Sequence, residues 1–562
     1  MESVLERVKG QIVQNIQIAA ENARRNGALN FETLPDFVLE VPRDKGHGDF
    51  ATNIAMLLAR QAKMAPRQVA EILNNHFSKE GSSMAKVEIA GPGFINFYLD
   101  SKWVYEVLPQ IEEQGDKYGD SNAGQGKKVQ VEFVSANPTG LLHMGNARGA
   151  ALGDTMANLM QAAGFDVSRE FYINDTGNQI ENFGRSLEAR YFQLMGQDVP
   201  FPEEGYHGQD IIDTVKGLIA ADPDQKYLNM DPEARKAEFV EYALAEKLNA
   251  IRGNLSQFGV NYDVWFSEKT LHDSGAVSSA IAELRAGDYI YENEGAIWLK
   301  TTAFGEEKDE VLVRGNGIPT YFAADIAYHK NKFDRGFQWV INIWGADHHG
   351  HVARLKGAVK ALGYESDNLD IVLMQLVRLF KGGEIIRMSK RSGEFITLEE
   401  LIAEVGKDAA RYFFVMRSPD SHLDFDMDLA KSQSTDNPVY YIQYAHARIC
   451  SILRQMEDKG GTLPKAGACD LERLQEPAEL ELIRKLVDFP TEISAAAVNL
   501  EPHRMARYAH ELAGLFHSFY NSNRVMVDDE ELQKARLVLV KSVRAVVRRA
   551  LGLLGLTAPE SM

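Results

Sequence analysis

The sequence predicts an α/β protein in three parts: a small α+β domain, a parallel-sheet α/β domain split by a helical insertion, and an all-helical bundle. Three observations carry this. From Val129, short apolar runs alternate with helical segments: VQVEFV, then HMGNARGAALGDTMANLMQAAG, then VSREFYI, the order of a parallel sheet with crossover helices. From about Thr435 apolar residues recur three or four apart in PVYYIQYAHARICSILRQME, ELELIRKLVDFPTEISAAAV, HRMARYAHELAGLFHSFYNSN and KARLVLVKSVRAVVRRALGLLG, which describes packed helices. Ahead of both, residues 1–118 mix a helical start with the strand-like FVLEV and KVEIAGPGFINFYL.

In the first part, a Gly-rich turn at Lys45 to Gly48 should lead to a helix from Thr52, and the Gly91-Pro92-Gly93 turn to a final strand. The polar run GDKYGDSNAGQGKK reads as a linker. The sheet domain then spans about 125–385, with Gly164 ending its first helix. QWVINIWG and DIVLMQLVRL are further strand candidates that extend the sheet to about residue 380, and the acidic, mostly helical stretch 200–296 reads as an insertion between its halves. A connecting segment covers 386–434 and the bundle 435–562.

At 562 residues the chain is long enough for several cores. Apolar residues make up 45% and charged residues 25%, no run is long enough to span a membrane, and the N-terminus lacks the apolar block of a secretory signal, so a soluble, cytoplasmic protein is expected. Two cysteines, Cys450 and Cys469, exclude a disulfide framework and a four-cysteine zinc site. A net charge of −19 argues against nucleic-acid binding through the overall field, yet Lys534, Arg536, Lys541, Arg544, Arg548 and Arg549 gather with no acid between them. That cluster is either a basic contact face or a solvated helix face balancing acids elsewhere.

Ligands of open parallel sheets bind at the carboxyl ends of the strands, against the next helix's amino end. SANPTGLLHMGNARGA has that position: Pro138, Thr139 and Gly140 break the strand, Gly145 removes a side chain at the turn, and a helix starts near Asn146. A nucleotide could lie there, with His143 and Asn146 bonding its phosphates; otherwise the turn is structural. A second stretch, GGEIIRMSKRSGEF, sets Arg387, Lys390 and Arg391 in a loop flanked by Gly383 and Gly393, able to close over a triphosphate and stabilise its developing charge, unless it is plain solvated surface. In NIWGADHHGH, Asp347, His348, His349 and His351 raise a metallohydrolase as the rival reading, although neighbouring ligands on a strand-to-helix turn point apart. In TYFAADIAYHKNKF, Tyr321 and Asp325 share a helix face, and Asp325 sits among apolar neighbours that leave an ion in want of a partner. A cationic substrate group could supply it, or the residue is an ordinary helix carboxylate.

HMGN and RMSKRS resemble the HIGH and KMSKS signatures of class I aminoacyl-tRNA synthetases. Their surroundings, GHGDFATN, GPGFIN, SANPTGLLHMGNARGA, YINDTGNQ, TYFAADIAYHKNKF, WGADHHGH, MSKRSG, DNPVYYIQYAHARI and the LLG-x-x-x-PE ending, resemble the arginyl-tRNA synthetases across nearly the whole chain. The resemblance implies a Rossmann-type catalytic domain, an N-terminal domain touching the outer corner of the tRNA, and an anticodon-binding bundle, for which Tyr440, Tyr441, Tyr444 and His446 are candidates by type. It implies activation of L-arginine with ATP, Mg²⁺ arriving with the ATP, and transfer to tRNA(Arg) by a monomer with no membrane partner. His143, Asn146 and Lys390 match catalytic positions; His143, Gly145, Asn146, Gly345, Asp347, His348, Met388, Ser389 and Lys390 match ATP-binding ones. Tyr321, Asp325 and Gln375 match the arginine side-chain pocket, Ser135 and Asn137 hold the amino acid backbone, and Asn174, Asp175 and Gln179 complete the wall. Asn146 stands where the second signature histidine would be and Arg387 where the first signature lysine would be. A synthetase-like RNA-binding protein without catalysis is the third reading; it would be expected to lack His143, Lys390 or the pocket residues, and all are present.

Overall fold

The computed structural model describes residues 3–42, 44–78, 83–100, 102–386 and 396–562. The N-terminal part opens with α1 (Val4–Arg25), capped by the Ser3 hydroxyl, which accepts from the Glu6 N–H, and burying Val8, Ile12, Ile16 and Ala23 along one stripe. β1 (Leu39–Glu40), β2 (Phe50–Thr52), β3 (Met84–Ala90) and β4 (Phe94–Leu99) form an antiparallel sheet in the order β1-β2-β4-β3, on which α2 (Ile54–Ala62) and α3 (Pro66–Asn74) pack. The expected strand FVLEV contracts to two residues, because β1 lies at the edge, Val38 and Val41 are exposed, and Pro42 has no N–H to continue a ladder. The helix expected from Thr52 starts at Ile54, Thr52 being the last residue of β2.

After α4 (Lys102–Tyr105) and α5 (Val107–Gln114), the chain builds β5 (Lys128–Glu132), α6 (Met144–Ala162) and β6 (Asp166–Ile173), with Gly164 at φ +87° closing the turn between helix and strand. β5 and β6 pair in parallel within a five-stranded sheet of order β12-β11-β5-β6-β7. α7 (Gly177–Leu194), α8 (Gln209–Ala221) and α9 (Pro232–Gln257) pack around Phe183, Leu187, Tyr191, Val215 and Phe239, a core of their own. The chain then re-enters the main sheet as β7 (Val264–Ser267), parallel to β6. The stretch 200–296 is therefore divided, its middle a strand of the main sheet. The short run VWFS looks unremarkable in a helical neighbourhood, and only pairing with β6 makes it an edge strand. α10 (Lys269–Asp273), α11 (Ala276–Ala286) and a small antiparallel sheet of β8 (Ile290–Asn293), β9 (Ala296–Leu299) and β10 (Glu310–Val313) follow.

α12 (Tyr321–Asp334), β11 (Trp339–Gly345), α13 (His349–Ala361) and β12 (Leu369–Met374) complete the parallel sheet. DIVLMQLVRL does not continue as one strand to residue 380. β12 ends at Met374, and β13 (Val377–Lys381) belongs to a second sheet with β14 (Glu384–Ile386) and a strand further along the chain. The ladder breaks because the Gln375 N–H turns to the Pro419 carbonyl, 2.9 Å away. α14 (Leu398–Val405), α15 (Lys407–Val415), β15 (Leu423–Asp426) and α16 (Met427–Lys431) form the rest of this connecting unit, with sheet order β14-β13-β15.

α17 (Pro438–Asp458), α18 (Pro477–Val498), α19 (His503–Ser522) and α20 (Glu530–Leu553) pack around Ile442, Ile449, Leu486, Leu512, Phe516 and Val543. The basic cluster on α20 is not an open face. Lys541 bonds Glu112 (2.6 Å), Arg549 bonds Asp120 (2.5 Å) and Arg548 pairs with Asp116, all beside α5, while Arg536 is buried against Glu479 at 2.7 Å. Charges that look free along the sequence thus fasten the last helix to the segment before the parallel sheet.

Candidate active site

The carboxyl ends of β5, β6, β11 and β12 share one rim of the parallel sheet. Past β5, Val134 and Ser135 both adopt positive φ, +70° and +40°. A left-handed backbone at a β-branched residue costs roughly 1–3 kcal/mol, so the surroundings must hold it. They do so through Ser135, whose Oγ donates to Glu132 Oε1 (2.9 Å) and accepts from the Tyr172 N–H of β6 (3.2 Å). Asn137 is exposed just beyond.

α6 begins at Met144, two residues before the expected start at Asn146, because His143 caps it. The Gly145 N–H donates to His143 Nδ1 (3.1 Å), and the His143 N–H donates to Asn146 Oδ1 (3.1 Å). This reciprocal pair satisfies two of the helix's orphan donors. Gly145 has a geometric reason: a Cβ there would lie 3.0 Å from His143 Cε1. Its missing side chain makes room for the imidazole. The Asn146 Oδ1 is engaged in the cap. The turn is also tied to the chain beyond the second signature: the Met144 N–H donates to the Ile396 carbonyl (3.2 Å) and the Leu398 N–H to the Leu142 carbonyl (2.9 Å). Arg387, Met388, Ser389, Lys390, Arg391 and Gly393 themselves lie outside the described residues.

At β11, a Cβ on Gly345 would meet Asp347 Oδ1 at 2.4 Å, so the aspartate side chain folds back over the strand end. The His348 ring packs 5.9 Å from Trp344 and 5.8 Å from His351, whose ring nitrogens face the Arg354 guanidinium. Burial and Arg354 push the His351 pKa down. Among the described residues, no three His, Cys, Asp or Glu side chains converge as metal ligands.

The third wall is acidic. Tyr321 begins α12 with its hydroxyl 3.3 Å from where a Gly177 side chain would be, which sets the ring against the start of α7, where Gln179 is partly buried. One turn on, Asp325 is partly buried, and no hydrogen bond or ion pair reaches its carboxylate among the described residues. Burial raises its pKa to about 7, with Glu132 and Glu268 adding to the rise and Lys332 and Arg354 opposing it. The Asn174 Oδ1 is buried with no partner among the described residues. Asp175 is committed differently from the other wall residues: its oxygens accept from Ser267 Oγ (2.5 Å) and the Lys269 N–H (3.0 Å), so it shapes the β7–α10 turn. Gln375 is partly buried at the break after β12.

Beneath these lies a polar network that sequence reading missed. Lys332, fully buried, donates to Glu132 Oε2 (2.6 Å) and Asn342 Oδ1 (2.8 Å). The Asn342 amide donates to His329 Nε2 (2.7 Å), and His329 Nδ1 donates to the Asp325 carbonyl (2.7 Å). Burial, with the Lys332 charge, holds His329 neutral, which fits that tautomer. A chain of bonds therefore links Ser135 to the helix turn bearing Asp325. The available signal was the Glu in VQVEFV and the Asn in VINIWG: strands covered on both faces have no place for polar side chains unless these are paired.

Comparison with known proteins gives the family. Residues 107–420 match the family model described as tRNA synthetases class I (R), catalytic domain; residues 7–99 match arginyl tRNA synthetase N terminal domain, and residues 442–562 match DALR anticodon binding domain. The arginine–tRNA ligase of Heliobacterium modesticaldum is 63% identical over 566 residues, covering 100% of both chains, and that of Moorella thermoacetica is 63% identical over 560 residues, again covering 100% of both.

The chain belongs to the arginyl-tRNA synthetases, class I.

The solved Thermus thermophilus arginyl-tRNA synthetase shares the fold, with a TM-score of 0.73 at 21% identity, over 97% of this chain and 99% of that one. An arginyl-tRNA synthetase needs an amino acid site beside a nucleotide site. Here Ser135 and the α6 cap follow one strand, β5.

Proposed function

We propose the following division of labour for joining L-arginine to tRNA(Arg) with ATP. In the first step the arginine carboxylate attacks the α-phosphorus; the new O–P bond forms as the α–β bridging P–O bond breaks, and pyrophosphate leaves. In the second, a terminal ribose hydroxyl attacks the arginyl carbonyl and AMP leaves. The protein's contribution is positioning and charge stabilisation. The positive end of α6, with His143, the Gly145 backbone and the Asn146 amide, receives phosphate oxygens, and Gly345, Asp347 and His348 line the nucleotide side. Met388, Ser389 and Lys390 close over the phosphates, Lys390 carrying the charge. Mg²⁺ enters as part of the ATP substrate.

Ser135 and Asn137 hold the amino acid backbone, and Asn174 belongs to the pocket wall. Asp325 takes the guanidinium, with Tyr321, Gln179 and Gln375 around it and Asp175 holding the wall. The observation that carries this reading is the Asp325 carboxylate on α12, without a partner among the described residues and with its pKa raised by burial and by Glu132 and Glu268. The N-terminal domain and the α17–α20 bundle bind tRNA, the latter at the anticodon. A half-buried aromatic ladder supports this: Tyr440 and Tyr444 stack at 6.0 Å, and Arg448 lies over Tyr444 (4.6 Å) and Tyr520 (4.9 Å). His446 does not belong to it, being buried with Nδ1 on the Pro559 carbonyl. The protein acts as a cytoplasmic monomer.

The test is aminoacylation of total tRNA with each of the twenty amino acids in turn, with pyrophosphate exchange measured with and without tRNA. Arginine alone should be charged. Charging with another amino acid and none with arginine overturns the reading.

A further inference from the structure

α6 carries a second feature behind its cap. Arg148, one turn past Met144, is fully buried, and no carboxylate pairs with it among the described residues. Its two Nη groups donate to carbonyls, Nη1 to Gln375 (2.7 Å) and Ser421 (3.1 Å), Nη2 to Ser418 (3.0 Å) and Ser421 (3.1 Å), while Nε has no partner among the described residues. A cation removed from water and unpaired with an anion is costly, and the four Nη bonds to carbonyls are what offset that cost here. Burial lowers its pKa to about 10, with Asp420 the nearest opposing influence, so the guanidinium stays charged at neutral pH.

The carbonyls it gathers belong to two loops, the break between β12 and β13 and the loop between α15 and β15. In the first, the β11–β12 ladder stops at Gly345 opposite Met374, and the β13–β15 ladder starts at Val377 opposite Leu423. Gln375 and Leu376 fall between two sheets and belong to neither ladder. Among the described residues three bonds hold their main chain: the Gln375 N–H to Pro419 (2.9 Å), the Leu423 N–H to the Leu376 carbonyl (3.5 Å), and the Arg148 side chain to the Gln375 carbonyl. Only the last comes from α6, the helix whose first residues form the nucleotide-side cap. Met374 also rests on that helix, its Cε 3.7 Å from where a Gly149 side chain would begin.

We infer that Arg148 is a positioning residue for amino acid selection: by tying the Gln375 backbone to α6 it fixes where the Gln375 side chain stands in the arginine pocket relative to the nucleotide. This rests on the assignment of Gln375 to that pocket. Lysine keeps the charge but not the planar fork that serves three carbonyls on two loops, so Arg148→Lys leaves acceptors unpaired and the Gln375 backbone free to shift.

The experiment is steady-state aminoacylation at saturating tRNA for wild type, Gln375→Ala, Arg148→Lys and the double variant, with Arg148→Gln as a second replacement and melting followed by circular dichroism. Displacement of a substrate-positioning group predicts that Arg148→Lys raises the arginine KM about tenfold or more while the ATP KM moves less than about threefold. In the Gln375→Ala background the same substitution should add less than about threefold, because the side chain through which Arg148 acts is gone. If Gln375→Ala leaves the arginine KM unchanged, the pocket assignment fails, and this inference with it. If Gln375→Ala raises the arginine KM but Arg148→Lys moves both KM values equally, or the two effects multiply in full, only the role of Arg148 is overturned. Failure of both Arg148 variants to fold makes the residue structural and overturns it as well.

Discussion

Replacing Asp325 with asparagine should weaken arginine binding and, without substrate, stabilise the protein. The carboxylate is displaced from the ordinary aspartate value of 3.8 to about 7 by burial, then by Glu132 and Glu268. The folded chain therefore retains a proton that the unfolded chain has released, so this group's contribution makes stability fall as pH rises between about 4 and 7. Once ionisation is complete, the displacement corresponds to about 4 kcal/mol of unfavourable free energy in the substrate-free protein. Asp325→Asn removes that term: its melting midpoint should exceed the wild type's at pH 8, and the gap should shrink to less than half by pH 5 and close near pH 4. Binding shows the opposite sign. Loss of charge-assisted paired hydrogen bonds to a guanidinium in a partly dry site costs roughly 3–4 kcal/mol, so the arginine KM at pH 8 should rise on the order of 10²- to 10³-fold while the ATP KM stays within about threefold. In the wild type, protonation should raise the arginine KM about tenfold from pH 8 to pH 6, and the asparagine variant should show no such slope. Aminoacylation at varied arginine, with ATP titrated in parallel, supplies these values. Equal losses for arginine and ATP, or an asparagine variant that melts below wild type at pH 8, would refute the placement of the guanidinium on Asp325.

Three further outcomes follow from contacts already described. Gly145→Ala puts a methyl 3.0 Å from the His143 ring, so the imidazole must shift by a few tenths of an ångström; kcat for adenylate formation should fall at least about tenfold with little change in melting, measured by single-turnover pyrophosphate release. Lys332→Met strands a buried Glu132 carboxylate and should cost about 3–5 kcal/mol in denaturant unfolding, most of it recovered by adding Glu132→Gln. Lys541→Glu opposes Glu112 and should loosen α20 from α5 by no more than about 1 kcal/mol, a partly exposed pair, with recovery on adding Glu112→Lys; the thermal midpoints of the four proteins give the coupling.

Periodicity alone determined a great deal. The strand–helix–strand order around HMGN, the helical bundle from Pro438 and the glycine-closed turn at Gly164 are properties of neighbouring residues, so a window of sequence contains their cause. The same holds for the pairing of Tyr321 with Asp325, set by the helix repeat. What the sequence left open depends on residues brought together from far apart. Val264–Ser267 becomes a strand only through β6, and the run from Asp370 to Leu379 breaks only because Arg148 and Pro419 claim the backbone of Gln375. Lys541 finds Glu112 across 429 positions, which turns an apparent basic face into an internal fastening. The acids around Asp325 are the clearest case. Glu132 reads as one polar residue in an apolar strand, and its meaning rests on α12 covering it, which supplies Lys332 as its partner and Asp325 as its neighbour. Local pattern therefore determined most of the helices and strands and which residues carry the signatures. Tertiary packing decided dielectric and charge environment, since these depend on what lies across the space from a side chain and not beside it along the chain.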